Sequence, residues 1–313
     1  MSQGFPNPLS LLGNPYLREI LTDRYEFVRF LNRMYFKRLN ARRWNPDGVD
    51  VFDEDWDNLF VLDACRYDIF RETSNLPGRL ESRISRGSNT MEFVEANFDG
   101  RDLRDTVYVT ANPMIYRIRD SIDLRFHAVE NVWYTDWDEE YRTVVPELVN
   151  ERARAAYEQY PEKRIVVHYI QPHIPFLSDS GKLYFQGERE DRPPFWDAIQ
   201  RGDIDISTEQ IWEWYCDNLH RVLPHVENLL ETFEGRSVVT ADHGNHVGER
   251  VWPFPIREWG HPYGIYTGEL VCIPWHIYES GKRRSIVKDS VEKHQNEIAE
   301  VSVEEQLSDL GYM

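Results

Sequence analysis

The sequence predicts an α/β fold: a mostly parallel, doubly wound sheet with helices on both faces. Three observations predict it. Short apolar runs recur at residues 59–62, 106–110, 165–170, 237–240 and 270–273, each with the length and composition of a buried strand. Segments of helical length at 91–98, 145–160 and 208–233 lie between them, giving the alternation of strand and helix that a parallel sheet with covering crossovers requires. The chain has 313 residues, of which 41% are hydrophobic and 13% aromatic, enough for a large core.

Three regions follow in order. Residues 1–44 form a basic amphipathic region, with Leu17, Ile20, Leu21, Val28, Leu31 and Phe36 at helical spacing. From 16 to 43 it carries eight basic and three acidic side chains, a net +5 against −18 for the whole chain. Packing of this helix on its own acidic domain is the first expectation. Peripheral contact with an anionic membrane or a protein partner is the second, and on that reading removing 1–43 spares catalysis. Trp44-Asn45-Pro46-Asp47-Gly48 is a turn cluster that opens the α/β domain, placed at 45–290. Within it, Pro193, Pro194 and Gly202 mark 178–206 as a long loop of the kind that carries substrate contacts. Residues 291–313 read as a charged helical tail with a stop at Gly311.

Composition excludes several functions. A surplus of 54 acidic over 36 basic residues repels phosphate backbones and argues against nucleic acid as a partner. Only six of the basic residues are lysine, an acidic, lysine-poor balance suited to a halophilic, high-salt cytoplasm. Cys65, Cys216 and Cys272 are odd in number and widely spaced, which indicates neither a disulfide framework nor a thiolate zinc site. The first residues lack the basic and apolar regions of a leader, and no stretch reaches the ~20 apolar residues of a membrane span, so a cytoplasmic location is expected.

In open α/β sheets ligands bind beyond the carboxyl ends of the strands, so the polar residues just after the apolar runs matter most. After the first run come Asp63-Ala64-Cys65-Arg66-Tyr67-Asp68, after the third Gln171-Pro172-His173, and after the fourth Asp242-His243-Gly244-Asn245-His246-Val247-Gly248-Glu249. Gly260-His261-Pro262 precedes the fifth. Carboxylates and imidazoles dominate, the hard-to-borderline O and N donors that Zn²⁺ and Mn²⁺ accept, with Ca²⁺ or Mg²⁺ as further options. A metal-dependent hydrolytic site is the expectation.

Over residues 55–280 these motifs, with Ile273-Pro274-Trp275, resemble the alkaline phosphatase superfamily and its sulfatase-like branch. The resemblance implies an alkaline phosphatase-like fold. It also implies a divalent metal held by Asp63, Asp242, His243 and a nucleophilic hydroxyl at a helix start between the first two strands. Thr90, just before the helical segment 91–98, fits that position, and Ser88 is the alternative; the bland reading is an ordinary helix cap. The modified-residue signature of ordinary sulfatases is absent around Ser88-Asn89-Thr90-Met91-Glu92. His173 and His261 are expected to hold substrate oxygens or protonate the leaving group, while a second metal between them is left open. Arg66 and His246 are candidate substrate contacts, Arg66 with Asp68 also a candidate ion pair, and Glu249 a residue within reach. Cys65 reads as a small buried side chain, His168 as a core residue or one that backs the site's ligands, and His220 and His225 as helix surface. The implied activity is hydrolysis or transfer of a phosphate ester, glycan- or lipid-linked substrates included, through a phospho-threonine. The rivals are a sulfate-ester hydrolase with an unmodified nucleophile and a non-catalytic adaptor in a surface-glycan or membrane-associated assembly.

Overall fold

The computed structural model describes residues 23–185, 194–288 and 301–312. A seven-stranded sheet organises them. Its strands are β1 (Asn58–Leu62), β2 (Arg79–Ile84), β3 (Asp102–Thr110), β4 (Arg125–Asn131), β5 (Arg164–Tyr169), β6 (Gly235–Ala241) and β9 (Cys272–Ser280), in the spatial order β2-β9-β6-β1-β5-β3-β4. The five strands from β6 to β4 are parallel, and β9 runs antiparallel to both β6 and β2. The sheet is therefore mostly parallel, as the apolar runs require. All five residues of β1 are buried, which explains its unbroken Asn-Leu-Phe-Val-Leu run: a central strand has no solvent face.

Helices interleave with the strands: α1 (Arg24–Phe36), α2 (Tyr67–Thr73), α3 (Thr90–Phe98), α4 (Met114–Arg117), α5 (Val132–Thr135) and α6 (Pro146–Gln159). They continue as α7 (Asp179–Phe185), α8 (Phe195–Arg201), α9 (Thr208–Thr232), α10 (Gly268–Val271) and α11 (Val301–Asp309). Helix α6 packs on β3 and β5 and against α9, whose Ile211, Leu219, Val222, Val226 and Leu229 recur at helical spacing and are fully buried. A hairpin of β7 (His246–Val251) and β8 (Ile256–Gly260) stands outside the main sheet. Among the described residues, no helix is long and apolar enough to cross a membrane.

Several sequence expectations need correction. The run 270–273 is not one strand: Leu270 and Val271 end α10, and the strand begins at Cys272. Strands β2 and β4 lack an apolar run because they occupy the two sheet edges, where no residue of β2 is fully buried. The segment 178–206 is no simple loop, since α7 and α8 lie in it; 186–193 are outside the described residues. The tail is helical only over Val301–Asp309 in the part described, with Gly311 in the left-handed conformation at its end (φ 72°).

The basic N-terminal helix is shorter than its periodicity indicates, and it docks on its own domain. Asp23 caps α1, and the residues before it are outside the described part. The chain leaves the helix through Arg38, Leu39 and Asn40, all at positive φ. Arg29 pairs with the buried Glu258 at 2.6 Å, Asn32 bonds the backbone of Phe254, and Arg33 bonds the carbonyl of Tyr263. Lys37 is buried and places Nζ 2.9 Å from Glu92 Oε1 on α3. Arg29 and Lys37 are thus paired inside the fold, and 24–37 packs on its own domain, the first of the two expectations.

Candidate active site

Parallel pairing builds the site by register. Leu62 sits opposite both Tyr169 and Ala241, so Asp63, at the next position, and Asp242 emerge side by side at the carboxyl edge of the sheet. Thr110 sits opposite His168, which brings Asn112 to the same edge from β3. Asp63, Thr90, Asn112, His168, His173, Asp242 and His243 are all buried. The glycine of the Asp242-His243-Gly244 motif lets this turn press against the backbone of residue 269: a Cβ on Gly244 would lie 2.0 Å from Glu269 O.

The two carboxylates are each satisfied on one oxygen only. Asp242 Oδ1 accepts the amides of Ala64 (3.0 Å) and His243 (2.8 Å), and Asp63 Oδ2 accepts Asn112 Nδ2 (2.5 Å) and the Tyr312 hydroxyl (2.6 Å). Asp63 Oδ1, Asp242 Oδ2 and His168 Nε2 are buried with no hydrogen-bond partner. One ligand atom from each of Asp63, His168 and Asp242 falls within 4.8 Å of the others. His243 Nε2 lies 3.5 Å from Asp63 Oδ1 and 3.3 Å from Asp242 Oδ2, while its Nδ1 faces Gly244 O at 2.7 Å, which orients Nε2 with its lone pair toward the carboxylates. Unpaired buried carboxylate oxygens are costly, and a divalent cation among them is what this donor set fits.

The electrostatics agree with that geometry. Burial and the neighbouring Asp242 charge hold the Asp63 carboxyl well above the usual range, and burial raises Asp242 too. Burial pushes the His168 and His243 imidazoles down to about 4, so both are neutral donors at physiological pH.

Thr90 completes the cluster. Its Oγ1 is 3.3 Å from His243 Nε2 and 3.0 Å from the Tyr312 hydroxyl. The structure corrects the cap reading: Asn89 is the N-cap, its side chain accepting the amide of Glu92 at 2.9 Å, and Thr90 is the first helical residue. Its hydroxyl is therefore not needed for the cap. Ser88, the alternative, is occupied elsewhere: its Oγ bonds Glu92 Oε2 and Pro262 O and accepts the amide of Gly264.

His173 and His261 come together, with 2.7 Å between their Nε2 atoms. His173 Nδ1 faces Ile174 O at 2.8 Å, so its proton belongs on Nδ1 and the proton between the rings belongs to His261. Burial presses both imidazoles well below their usual range, helped by the neighbouring His261 at His173 and by His243 at His261. Asn218 on α9 fixes this loop by donating to the carbonyls of Pro172, His173 and Pro175. The structure does not bring Arg66 and His246 to the carboxylate cluster by any hydrogen bond. The Arg66 guanidinium bonds Asp68, Glu249 and Asn245 O and lies over Trp212, and His246 bonds Thr267. Arg66 and His246 therefore serve the β7 turn; although burial opposes ionisation, they hold the Glu249 carboxyl down at about 2. Cys65 is buried, His220 exposed and His225 half-buried, as the sequence implied.

Three members of the site escape sequence reasoning. His168 reads as a core residue or one behind the ligands, whereas its own Nε2 faces the carboxylates while Nδ1 meets the Tyr108 hydroxyl at 2.7 Å. Asn112 obeys the strand-end rule after β3, the one signal that could have found it. Tyr312 carries no local signal, because only folding brings it 249 positions back to Asp63.

No family model and no curated protein matches the sequence. Solved structures are similar at low identity. The soluble domain of lipooligosaccharide phosphoethanolamine transferase A from Neisseria meningitidis is 12% identical, with 70% of this chain and 75% of that chain covered and a TM-score of 0.44. A phosphonate monoester hydrolase from Silicibacter pomeroyi is 13% identical over 81% and 72% of the two chains, with a TM-score of 0.37. A protein from Vibrio parahaemolyticus is 11% identical over 93% and 76%, with a TM-score of 0.41. The last is a protein in the alkaline phosphatase superfamily. Likenesses this remote carry no function, which has to rest on the side chains themselves.

Proposed function

We propose that this chain is a metal-dependent enzyme of the alkaline phosphatase type that transfers or hydrolyses phosphate esters, with Thr90 as nucleophile. The observation that carries the reading is the convergence of three unpartnered, buried donor atoms, from Asp63, Asp242 and His168, beside the lone pair of His243 and the hydroxyl of Thr90. Asp63, Asp242 and His243 would hold a divalent cation, Zn²⁺ or Mn²⁺ by donor type, with Thr90 at its edge and His168 as a further donor. Such a cation lowers the pKa of a neighbouring hydroxyl and offsets charge on phosphoryl oxygens.

The chain's own residues supply the rest. Helix α3 presents Thr90 Oγ1 at its first turn, where the backbone dipole favours an oxyanion and the oxygens of an incoming phosphoryl group. Asn112 Nδ2 is a donor at the same spot, suited to a phosphoryl oxygen once Tyr312 is out of the way. Attack by Thr90 Oγ1 on phosphorus forms the Thr90–O–P bond and breaks the bond to the ester oxygen, which departs with the proton His261 holds against His173, while the proton released from Thr90 Oγ1 replaces it on the histidine pair, leaving the pair neutral. Water or an acceptor hydroxyl then attacks the phospho-threonine, returns Thr90 and restores its proton.

Metal-loaded protein assayed on phosphomonoester, phosphodiester and sulfate-ester substrates tests the proposal. Turnover of a phosphate ester, lost on chelation and restored by Zn²⁺ or Mn²⁺, is expected. Preference for the sulfate ester would favour the sulfatase rival, and failure of all three in stoichiometrically loaded protein the adaptor.

Loading should itself depend on pH. The imidazoles are already neutral, whereas Asp63 and Asp242, shifted upward by burial, retain protons more readily than ordinary carboxyls, and a cation competes with those protons for their oxygens. Lower pH keeps those protons on, so Zn²⁺ affinity should fall with falling pH, by about tenfold per pH unit for each proton displaced. Titration calorimetry in buffers of different ionisation enthalpy should detect the released protons. Binding without proton release would place the cation elsewhere.

A further inference from the structure

We propose that residues 301–312 form an autoinhibitory segment, in which the Tyr312 side chain occupies the substrate's place at Thr90 and has to leave before an ester can reach it. The inference rests on the reading of Thr90 as the reaction centre. A nucleophile must be touched by its substrate, yet Thr90, Asp63, Asp242 and His243 are all 0% exposed. Among the described residues, a phenol from the chain's last helical segment touches Thr90 and Asp63. Its hydroxyl donates to Asp63 Oδ2 (2.6 Å), accepts from Asn112 Nδ2 (2.9 Å) and lies 3.0 Å from Thr90 Oγ1. Its ring stacks on His173, centroids 5.1 Å apart and planes 4° apart, beside the imidazole that faces His261.

Tyr312 therefore takes up the Asn112 donor that a phosphoryl oxygen would use and covers Thr90 Oγ1, and its ring covers the histidine pair placed to serve a leaving group. The contact is built rather than incidental. Val303, Leu307 and Leu310 are buried against the domain, Gln306 bonds the carbonyl of Trp133, and Asp309 lies 3.6 Å from Arg142. Arg117 on α4 holds the carbonyl of Tyr312 itself at 3.0 Å. Gly311, at positive φ, turns the chain inward beside Ile174, where a Cβ would lie 2.9 Å from Ile174 Cδ1. An ester and Tyr312 cannot share these partners, so the fraction of molecules with the segment undocked scales the apparent affinity for substrate.

Accessibility can be measured without turnover. In a Thr90→Cys chain, modification of the introduced thiol by a small anionic methanethiosulfonate, followed by peptide-resolved mass spectrometry, reads whether the position is covered. The same chain carrying Tyr312→Ala, and separately Arg117→Ala, should label about tenfold faster or more, with thermal melting showing that each variant is folded. In the Thr90 background, both variants should raise kcat/KM for a p-nitrophenyl phosphate ester, mainly through KM. Unchanged labelling in both folded variants would overturn the inference. So would faster labelling with lower turnover, because Tyr312 would then belong to the catalytic machinery. Faster labelling in a protein that turns over no ester would sustain the plug and refute the proposed function instead.

Discussion

Thr90→Ala is expected to lower phosphate-ester turnover by roughly three to six orders of magnitude, the range seen when a covalent nucleophile is removed. Its fold should survive, because Asn89 rather than Thr90 caps α3, and alanine suits a first helical turn. Metal content should also persist, since Asp63, Asp242, His168 and His243 keep their donor atoms. Thr90→Ser, which retains a hydroxyl there, should keep measurable activity. Ser88→Ala should behave the other way round: it removes the bonds to Glu92 and Gly264, at a cost of about 1–3 kcal/mol in stability, with turnover of the folded protein largely preserved. Single-turnover kinetics and thermal melts on both variants distinguish the two hydroxyls. Near-normal turnover by Thr90→Ala would refute the covalent route through this residue.

Lys37→Met is expected to destabilise the protein by about 3–5 kcal/mol, the cost of leaving a buried charge without its partner. Lys37 Nζ bonds Glu92 Oε1 (2.9 Å), the Tyr263 hydroxyl (2.7 Å) and Arg43 O (2.6 Å), and Glu92, fully buried, also accepts Tyr266 and Ser88. Glu92 lies on the helix that begins with Thr90, so the pair ties α1 to the element carrying the nucleophile. The double variant Lys37→Met with Glu92→Gln should recover much of the loss, because no unpaired charge remains. Denaturant unfolding of the four proteins gives the coupling directly. Removal of 1–43 deletes Lys37 and should likewise cost stability and activity together, contrary to the expectation of a dispensable association helix. A fully active, fully stable truncation would overturn this account.

Much of the site was legible because it follows from strand ends. Parallel strands align their carboxyl ends, so Asp63, Asp242-His243 and His173 could be placed on one edge from the apolar runs that precede them, without any long-range information. The central strands were legible for the same reason: buried on both faces, they read as continuous apolar runs, whereas the edge strands β2 and β4 do not. Even the first turn of α3 could be anticipated, but not which residue would cap it, since Ser88, Asn89 and Thr90 all favour such positions and only the backbone conformation of Asn89 decides.

What the sequence by itself determined is thus the class of fold, the chemistry at its strand ends and the acidic balance of the chain. Tertiary structure alone decided the rest. A histidine inside a strand reads as core until register sets His168 Nε2 within 4.0 Å of Asp63 and 3.8 Å of Asp242. A basic amphipathic helix suits a membrane as well as an acidic domain until Glu258 and Glu92 are seen to neutralise Arg29 and Lys37. A tyrosine far along the chain means nothing locally until α11 docks and delivers its hydroxyl to Thr90. The physical reason is common to all three: side-chain period and composition report which face of an element is apolar, but the partner that a buried polar group finds is chosen by packing across the chain, and local sequence holds no record of it.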